Sequence, residues 1–338
     1  MTALPPDPPT LVCVTPNPAW DVTYGIDRLV PGESLRVRSA VARAGGKGVN
    51  VARVARTLGA RTHVVAPTGG PLAAPFAEDL AAAGQAATLV AVAGALRQSI
   101  AVVPAHPGAG DDGHPTVLNE PGPALTDHEW ADLVEGARRA ATAGRALGSA
   151  VVATVSGSLP PGTTAARFTA LLDALHDAGC TVHVDVSGPG LLWAAAAGAD
   201  LLKPNRAELA EAAGTPDLAT GVAALHGHGA RTVVVTDGAR GLTAHPADGP
   251  VATARPGAVV QGNPTGAGDA AMAALAVSTG LPWPRRLALA VATSAAAVLR
   301  PVAGEVDPAD VARLLGHVAA GTADGTDPTD RTDPAQES

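Results

Sequence analysis

The sequence predicts an α/β fold. Strand-like runs alternate with helical patterns along most of the chain, the pattern expected of helices layered on a sheet. Two further strand pairs interrupt that alternation, and 46% hydrophobic content over 338 residues supplies one large core. The net charge is −8, but residues 321–338 hold five acids against one arginine, leaving 26 acids and 22 bases for the remainder. A surface so weakly charged argues against nucleic acid as a partner.

Residues 1–10 are Pro-rich and read as disordered. They lack the basic start and apolar run of a signal peptide, and the longest apolar helical run, 287–299, falls short of the roughly 18 residues of a membrane span. A soluble, cytoplasmic protein without a membrane partner is expected. Residues 11–15 read as a buried strand leading to Asn17 and Asp21, and 22–26 and 36–42 as two strands of a lid placed around Pro31-Gly32. Gly45-Gly46-Lys47-Gly48-Val49-Asn50 then opens a helix over 51–58. Strand 63–66, helix 72–83 and strand 87–92 follow, and 99–103 with 115–118 form a second hairpin, entered by Arg97 and joined by the loop 105–114.

The alternation resumes with a helix over 126–143, strand 150–155, a helix ending at 178 and strand 181–186. Strand 200–203 runs into Lys203-Pro204-Asn205-Arg206-Ala207-Glu208. Strand 231–236 runs into Asp237-Gly238-Ala239-Arg240-Gly241 and a short strand over 242–244. Helices over 266–279, 284–299 and 308–317 complete the domain, and 320–338 reads as a disordered acidic tail. Cys13 and Cys180, in Val-rich runs, read as small buried hydrophobes without chemistry.

The chemistry centres on Gly262-Asn263-Pro264-Thr265-Gly266-Ala267-Gly268-Asp269 and the small apolar run that follows. Glycines let successive backbone N–H groups converge, and the start of a buried helix adds further unpaired donors, which together make an anion hole. Asp269 falls in the first turn, where it can take a hydroxyl proton beside the anion; capping the helix is the plainer alternative. Gly266, Gly268 and Ala271 also fit a dinucleotide fingerprint. That motif, however, needs a strand before it and an acid about 20 residues on, whereas a Gly-Asn-Pro turn precedes it here and no acid follows before Glu305.

Gly45, Gly46, Lys47 and Gly48 make a second cradle for a polar ligand or its phosphate. It is no Walker loop, since Gly48 stands where Ser or Thr should follow the lysine. Only Lys47 and Lys203 are lysines among 23 basic residues, and both fall in Gly- or Pro-containing motifs, as do the five asparagines. A compact point charge of that kind suits phosphate. Asp21 can bond a polyol or merely stabilise a turn. Asn205 and Glu208, three apart, can orient Mg²⁺ through waters or form a helix cap.

Taken together these motifs resemble the ribokinase-like (PfkB) sugar kinases, and among them the branch of 1-phosphofructokinase and tagatose-6-phosphate kinase. The resemblance runs from about residue 11 to 317. It rests on Asn17-Pro18-Ala19-x-Asp21, Gly45-Gly46-Lys47-Gly48-Val49-Asn50, Ser156-Gly157-Ser158-Leu159-Pro160-Pro161-Gly162, Lys203-Pro204-Asn205 with Glu208, and Gly266-Ala267-Gly268-Asp269. It implies a three-layer α/β/α sandwich spanning 11–319, with a mainly parallel central sheet and a small β lid near 20–43 and 95–119. It also implies ATP and Mg²⁺ as cofactors and a homodimer paired through the lid. By the same resemblance Asp269 is the base, and Gly266, Ala267 and Gly268 stabilise the moving phosphoryl group. Asp21, Gly45, Gly46, Lys47, Asn50 and Arg97 meet a sugar phosphate. Lys203, Asn205, Thr236, Gly238 and Gly241 meet ATP, while Glu208 and Asn205 hold the metal through water.

The expected reaction transfers the γ-phosphoryl group of ATP to a ketohexose phosphate: fructose 1-phosphate, fructose 6-phosphate or tagatose 6-phosphate. Lys47 favours an acceptor that already carries phosphate, because a free sugar offers it no charge. A kinase of a free hexose or a nucleoside, a catalytically silent nucleotide- or sugar-phosphate-binding regulator, and a dinucleotide-dependent oxidoreductase are the alternatives. The sugar epimer and the reacting hydroxyl, C1 or C6, stay open.

Overall fold

The computed structural model describes residues 7–105 and 115–323. Strands β1 (Thr10–Val14), β2 (Ala19–Ile26) and β3 (Ser39–Gly45) precede helix α1 (Lys47–Thr57). Then come β4 (Thr62–Thr68), α2 (Ala73–Ala82), β5 (Ala86–Ala91), β6 (Arg97–Pro104) and β7 (Thr116–Asn119). The middle of the chain forms α3 (Asp127–Ala146), β8 (Val151–Ser156), α4 (Ala165–Asp177), β9 (Thr181–Asp185), α5 (Pro189–Ala196) and β10 (Leu201–Leu202). It continues with α6 (Arg206–Ala213), α7 (Leu218–Gly227), β11 (Thr232–Thr236), β12 (Leu242–Pro246) and β13 (Val251–Arg255). Last are α8 (Ala267–Val277), α9 (Trp283–Val298), α10 (Pro308–Leu315) and β14 (Ala319–Ala323).

Ten strands form the central sheet in the order β14-β13-β12-β11-β10-β9-β8-β1-β4-β5. Pairing is parallel from β11 to β5 and antiparallel across the β12, β13 and β14 edge. Successive residues of a strand face opposite sides, and in β1 Leu11 and Cys13 enter one core while Val12 and Val14 enter the other. Helices α1, α2, α8 and α9 cover the first face, and α3, α4, α5 and α7 the second, so the architecture is the expected three-layer sandwich. Helix α8 is buried on every side from Asp269 to Val277, and a helix apolar all round is stable only inside a core. Burying Leu275 or Met272 there contributes about 1.5–3 kcal/mol each.

A second sheet, β3-β2-β6-β7, forms the lid, its two hairpins joined by parallel pairing of β2 with β6. Several expectations need correction. Helix α1 begins at Lys47 rather than after Asn50, because its first turn is made of the Lys-Gly-Val-Asn of the motif itself. Helices α5 and α7 and strand β13 have no counterpart in the predicted series; α5 and α7 have weak amphipathic contrast, so their periodicity is faint. The tail predicted to be disordered from 320 instead supplies β14, whose backbone pairs with β13 from Ala319 to Ala323. Its small Ala-Ala-Gly-Thr-Ala side chains carry no hydrophobic signal, and backbone hydrogen bonding to an open edge orders it. Residues 324–338, 1–6 and the predicted loop over 106–114 lie outside the described residues. Among the described residues no helix is long and apolar enough to cross a membrane.

Candidate active site

Parallel strands bring their carboxyl ends to one edge of the sheet, and there Ser156 ends β8, Asp185 ends β9 and Lys203 follows β10. Asp185 is 2% exposed and lies between both lysines of the chain, with Lys203 Nζ 2.9 Å from Oδ2 and Lys47 Nζ 3.2 Å from Oδ1. Burial opposes its ionisation, but Lys203 and Lys47 outweigh burial and hold its pKa below the ordinary value. Asp185 in turn holds Lys47 above its ordinary value against burial. Two ammonium groups on one carboxylate leave a positive remainder, which suits an anionic ligand. Sequence reading missed Asp185; an acid closing the apolar run Val182-His183-Val184 was the available signal. It also follows that Lys47 already has a charge to meet, so Lys47 alone does not select a phosphorylated acceptor.

Two helix starts converge on this cluster. At α1, Gly46 adopts φ +99°, and a Cβ on Gly48 would lie 2.3 Å from Thr15 Oγ1 and 2.9 Å from the Val14 carbonyl oxygen. Only glycine lets the helix start so close to β1. At α8, Gly266 turns the chain with φ +83°, and the Ala267 N–H is taken by the Pro264 carbonyl at 3.1 Å. The N–H groups of Gly266, Gly268 and Asp269 make no hydrogen bond among the described residues, so of the expected anion hole only Ala267 is lost as a donor. Lys203 Nζ lies only 3.5 Å from where a Gly268 Cβ would be. Asn50 Nδ2, in the first turn of α1, donates to Asp269 Oδ2 at 2.9 Å and joins the two helices. Asp269 is 6% exposed, and burial lifts its pKa to about 7, with Lys47 pulling down and Asp185 pushing up. That value suits a base working near neutrality.

Asp21 lies at the root of the lid. A Cβ on Gly45 would fall 2.0 Å from Asp21 Oδ2, and the Gly46 N–H donates to that oxygen at 3.4 Å. Burial raises the Asp21 pKa to about 6, against the pull of the Gly46 N–H, Arg97, Arg43 and Arg53. It lines a small pocket with Arg43, Ser99, Asn263 and Thr265. Arg97 is tied to backbone, donating from Nε to Asn17 O at 3.3 Å and from Nη1 to Glu120 O at 3.1 Å.

On the other side of the anion hole, Gly238, Gly241 and Ala267 line a cleft of about 890 Å³ walled by Val259, Val260 and Val298. Asn205 and Thr236 are neighbours through an isolated parallel bridge, and neither they nor Lys203 line that cleft. Asn205 and Glu208 form a reciprocal cap: Asn205 Oδ1 accepts the Glu208 N–H and Glu208 Oε2 accepts the Asn205 N–H, both at 2.8 Å. The capping alternative is thus realised. Glu208 keeps its other oxygen free of hydrogen bonds among the described residues, and its charge reaches Lys47. A free, hard carboxylate oxygen beside the lysine cluster fits Mg²⁺ held through its water shell.

The family model of the pfkB family carbohydrate kinases matches residues 14–310, nearly the whole described chain. The chain belongs to this family. Among relatives of this PfkB-family protein, the ATP-dependent 6-phosphofructokinase isozyme 2 of Mycobacterium tuberculosis is 31% identical over 330 residues, covering 94% of this chain and 93% of the relative. The 1-phosphofructokinase of Xanthomonas campestris is 35% identical over 276 residues, covering 79% and 83%. The crystal structure of phosphofructokinase-2 from Escherichia coli in complex with fructose-6-phosphate superposes with a TM-score of 0.76 at 26% identity, covering 91% of this chain and 98% of that one.

Proposed function

We propose that this family member transfers the γ-phosphoryl group of ATP to a hydroxyl of a ketohexose phosphate, with Asp269 as the base. The observation that carries the reading is the Asn50–Asp269 hydrogen bond beside the Asp185 cluster. One oxygen of a buried carboxylate is fixed by Asn50, and the other is left for the acceptor O–H. Asp269 takes that proton, the acceptor oxygen forms its bond to the γ-phosphorus, and the bond to the ADP oxygen breaks. The free N–H groups of Gly268 and Asp269, with Lys47 and Lys203, face the charge that builds on the phosphoryl oxygens. Glu208 would hold Mg²⁺ through water, and the ion, when bound, neutralises phosphate charge. Gly238, Gly241 and the valines of the large cleft suit the nucleoside, while Asp21, Gly45, Gly46 and Arg97 suit the sugar phosphate.

The similarity to a 6-phosphofructokinase, to a 1-phosphofructokinase and to a phosphofructokinase-2 in complex with fructose-6-phosphate supports the substrate class without choosing within it. ADP release from Mg·ATP, measured across fructose 1-phosphate, fructose 6-phosphate, tagatose 6-phosphate and their unphosphorylated sugars, tests the proposal. A high kcat/KM with a single sugar phosphate is expected. Turnover confined to free sugars would replace it with a hexose kinase.

A further inference from the structure

The small pocket under the lid contains a guanidinium with more donors than partners. Arg43 on β3 stands opposite Asp21 on β2, and Asp21 stands opposite Ser99 on β6, so the three occupy one row across the lid sheet. All three line the pocket together with Asn263 and Thr265, which lead into Gly266. The Arg43 side chain is 13% exposed, and its Nη1 donates to Glu305 Oε1 at 2.7 Å, linking lid to body. Its Nη2 is buried and has no hydrogen-bond partner among the described residues. A buried guanidinium N–H left unpaired costs free energy, so a small shift of Arg43 toward a ligand in the pocket that supplies an acceptor is favoured.

The chemistry of that acceptor is constrained by charge. Asp21 and Arg43 are the charged residues that line the pocket, and Arg43 is already paired with Glu305, so a further anion at Arg43 would meet an occupied cation and the nearby Asp21 carboxylate. An uncharged oxygen meets no such repulsion. Building on the kinase reading above, we propose that Arg43 is a specificity-determining residue of the acceptor site, donating from Nη2 to a non-reacting hydroxyl of the sugar. Asp21, on the strand beside Arg43, accepts from a second hydroxyl of the sugar, and a donor facing an acceptor across one row orients a polyol. Arg43 carries no signal in a sequence whose basic residues are nearly all arginine; its register opposite Asp21 exposes it.

The test pairs Arg43→Gln with monodeoxy analogues of the accepted sugar, each lacking one non-reacting hydroxyl. Arg43→Gln is expected to raise the acceptor KM about tenfold or more while the KM for ATP stays within about twofold. Removing the hydroxyl that Arg43 contacts costs the wild type about tenfold and the variant almost nothing, a non-additive cycle. Arg43→Met, which removes every donor, supplies the same cycle if Arg43→Gln does not fold. Additive losses for every analogue would overturn the proposal. So would equal losses in Arg43→Gln and Glu305→Gln without coupling, which would leave Arg43 as a latch between lid and body. Wild-type turnover with additive cycles sinks this inference alone; no turnover of any sugar by the wild type sinks the kinase reading and this inference with it.

Discussion

Asp269, the proposed base, is buried although a base must be ionised, and that conflict has measurable consequences. Asp269→Asn keeps the shape and the Asn50 contact but cannot take a proton, so kcat is expected to fall about 10²–10⁴-fold while ATP still binds, as calorimetric titration would show. Near-normal turnover would exclude Asp269 as the base. With its pKa at about 7, the ionised fraction grows as pH rises, so kcat/KM should climb through about pH 7 and level off above it. The stability linkage has the opposite sense. The folded pKa lies above the unfolded carboxylate value, so the folded state favours the protonated form, and the cost of ionised Asp269 is full above pH 7 and vanishes below about pH 4. Asp269→Asn should therefore raise Tm more at pH 8 than at pH 5, and a rise independent of pH would contradict that account.

At the scale of elements, the site depends on two helix starts held against strand ends. Gly48→Ala puts a methyl group against Thr15 Oγ1 and the Val14 carbonyl, so α1 must withdraw from β1. The expected cost is about 1–3 kcal/mol in denaturant unfolding, and kcat should fall as well because Asn50 moves with the helix. Unchanged stability and turnover would show that the first turn of α1 has slack. The same scale explains which motifs could be read in advance. Gly-Ala-Gly-Asp signalled a turn and a helix start by residue type alone, and α8 begins there. Asn205 and Glu208 were legible as a pair but not as a choice between cap and metal site. Spacing of three serves both, and the cap forms because it satisfies two backbone donors locally.

At the scale of the molecule, two strand edges of the lid, β3 and β7, are uncovered among the described residues. All four residues of β7 are exposed, Leu118 at 57%, and Val37 and Val41 are open on and beside β3. Unpaired apolar edges of this kind favour pairing with another chain, and we propose a homodimer formed through the lid. Sedimentation at micromolar concentration should give a dimer, and Leu118→Glu should shift it to monomer. A wild type that sediments as a monomer would remove the lid interface.

By itself the sequence determined the alternation of strands and helices, the two glycine cradles and the candidate base, because these follow from local periodicity and backbone freedom over a few residues. Only the tertiary structure decided that Lys47 and Lys203 share Asp185, that Asn50 reaches Asp269, that Arg43 faces Asp21 and that β14 closes the sheet. Those partners lie far apart in the chain, and residue type says which charges and donors exist without saying which of them meet. Parallel pairing, which gathers the carboxyl ends of β8, β9 and β10 at one edge beneath α1 and α8, makes that assignment.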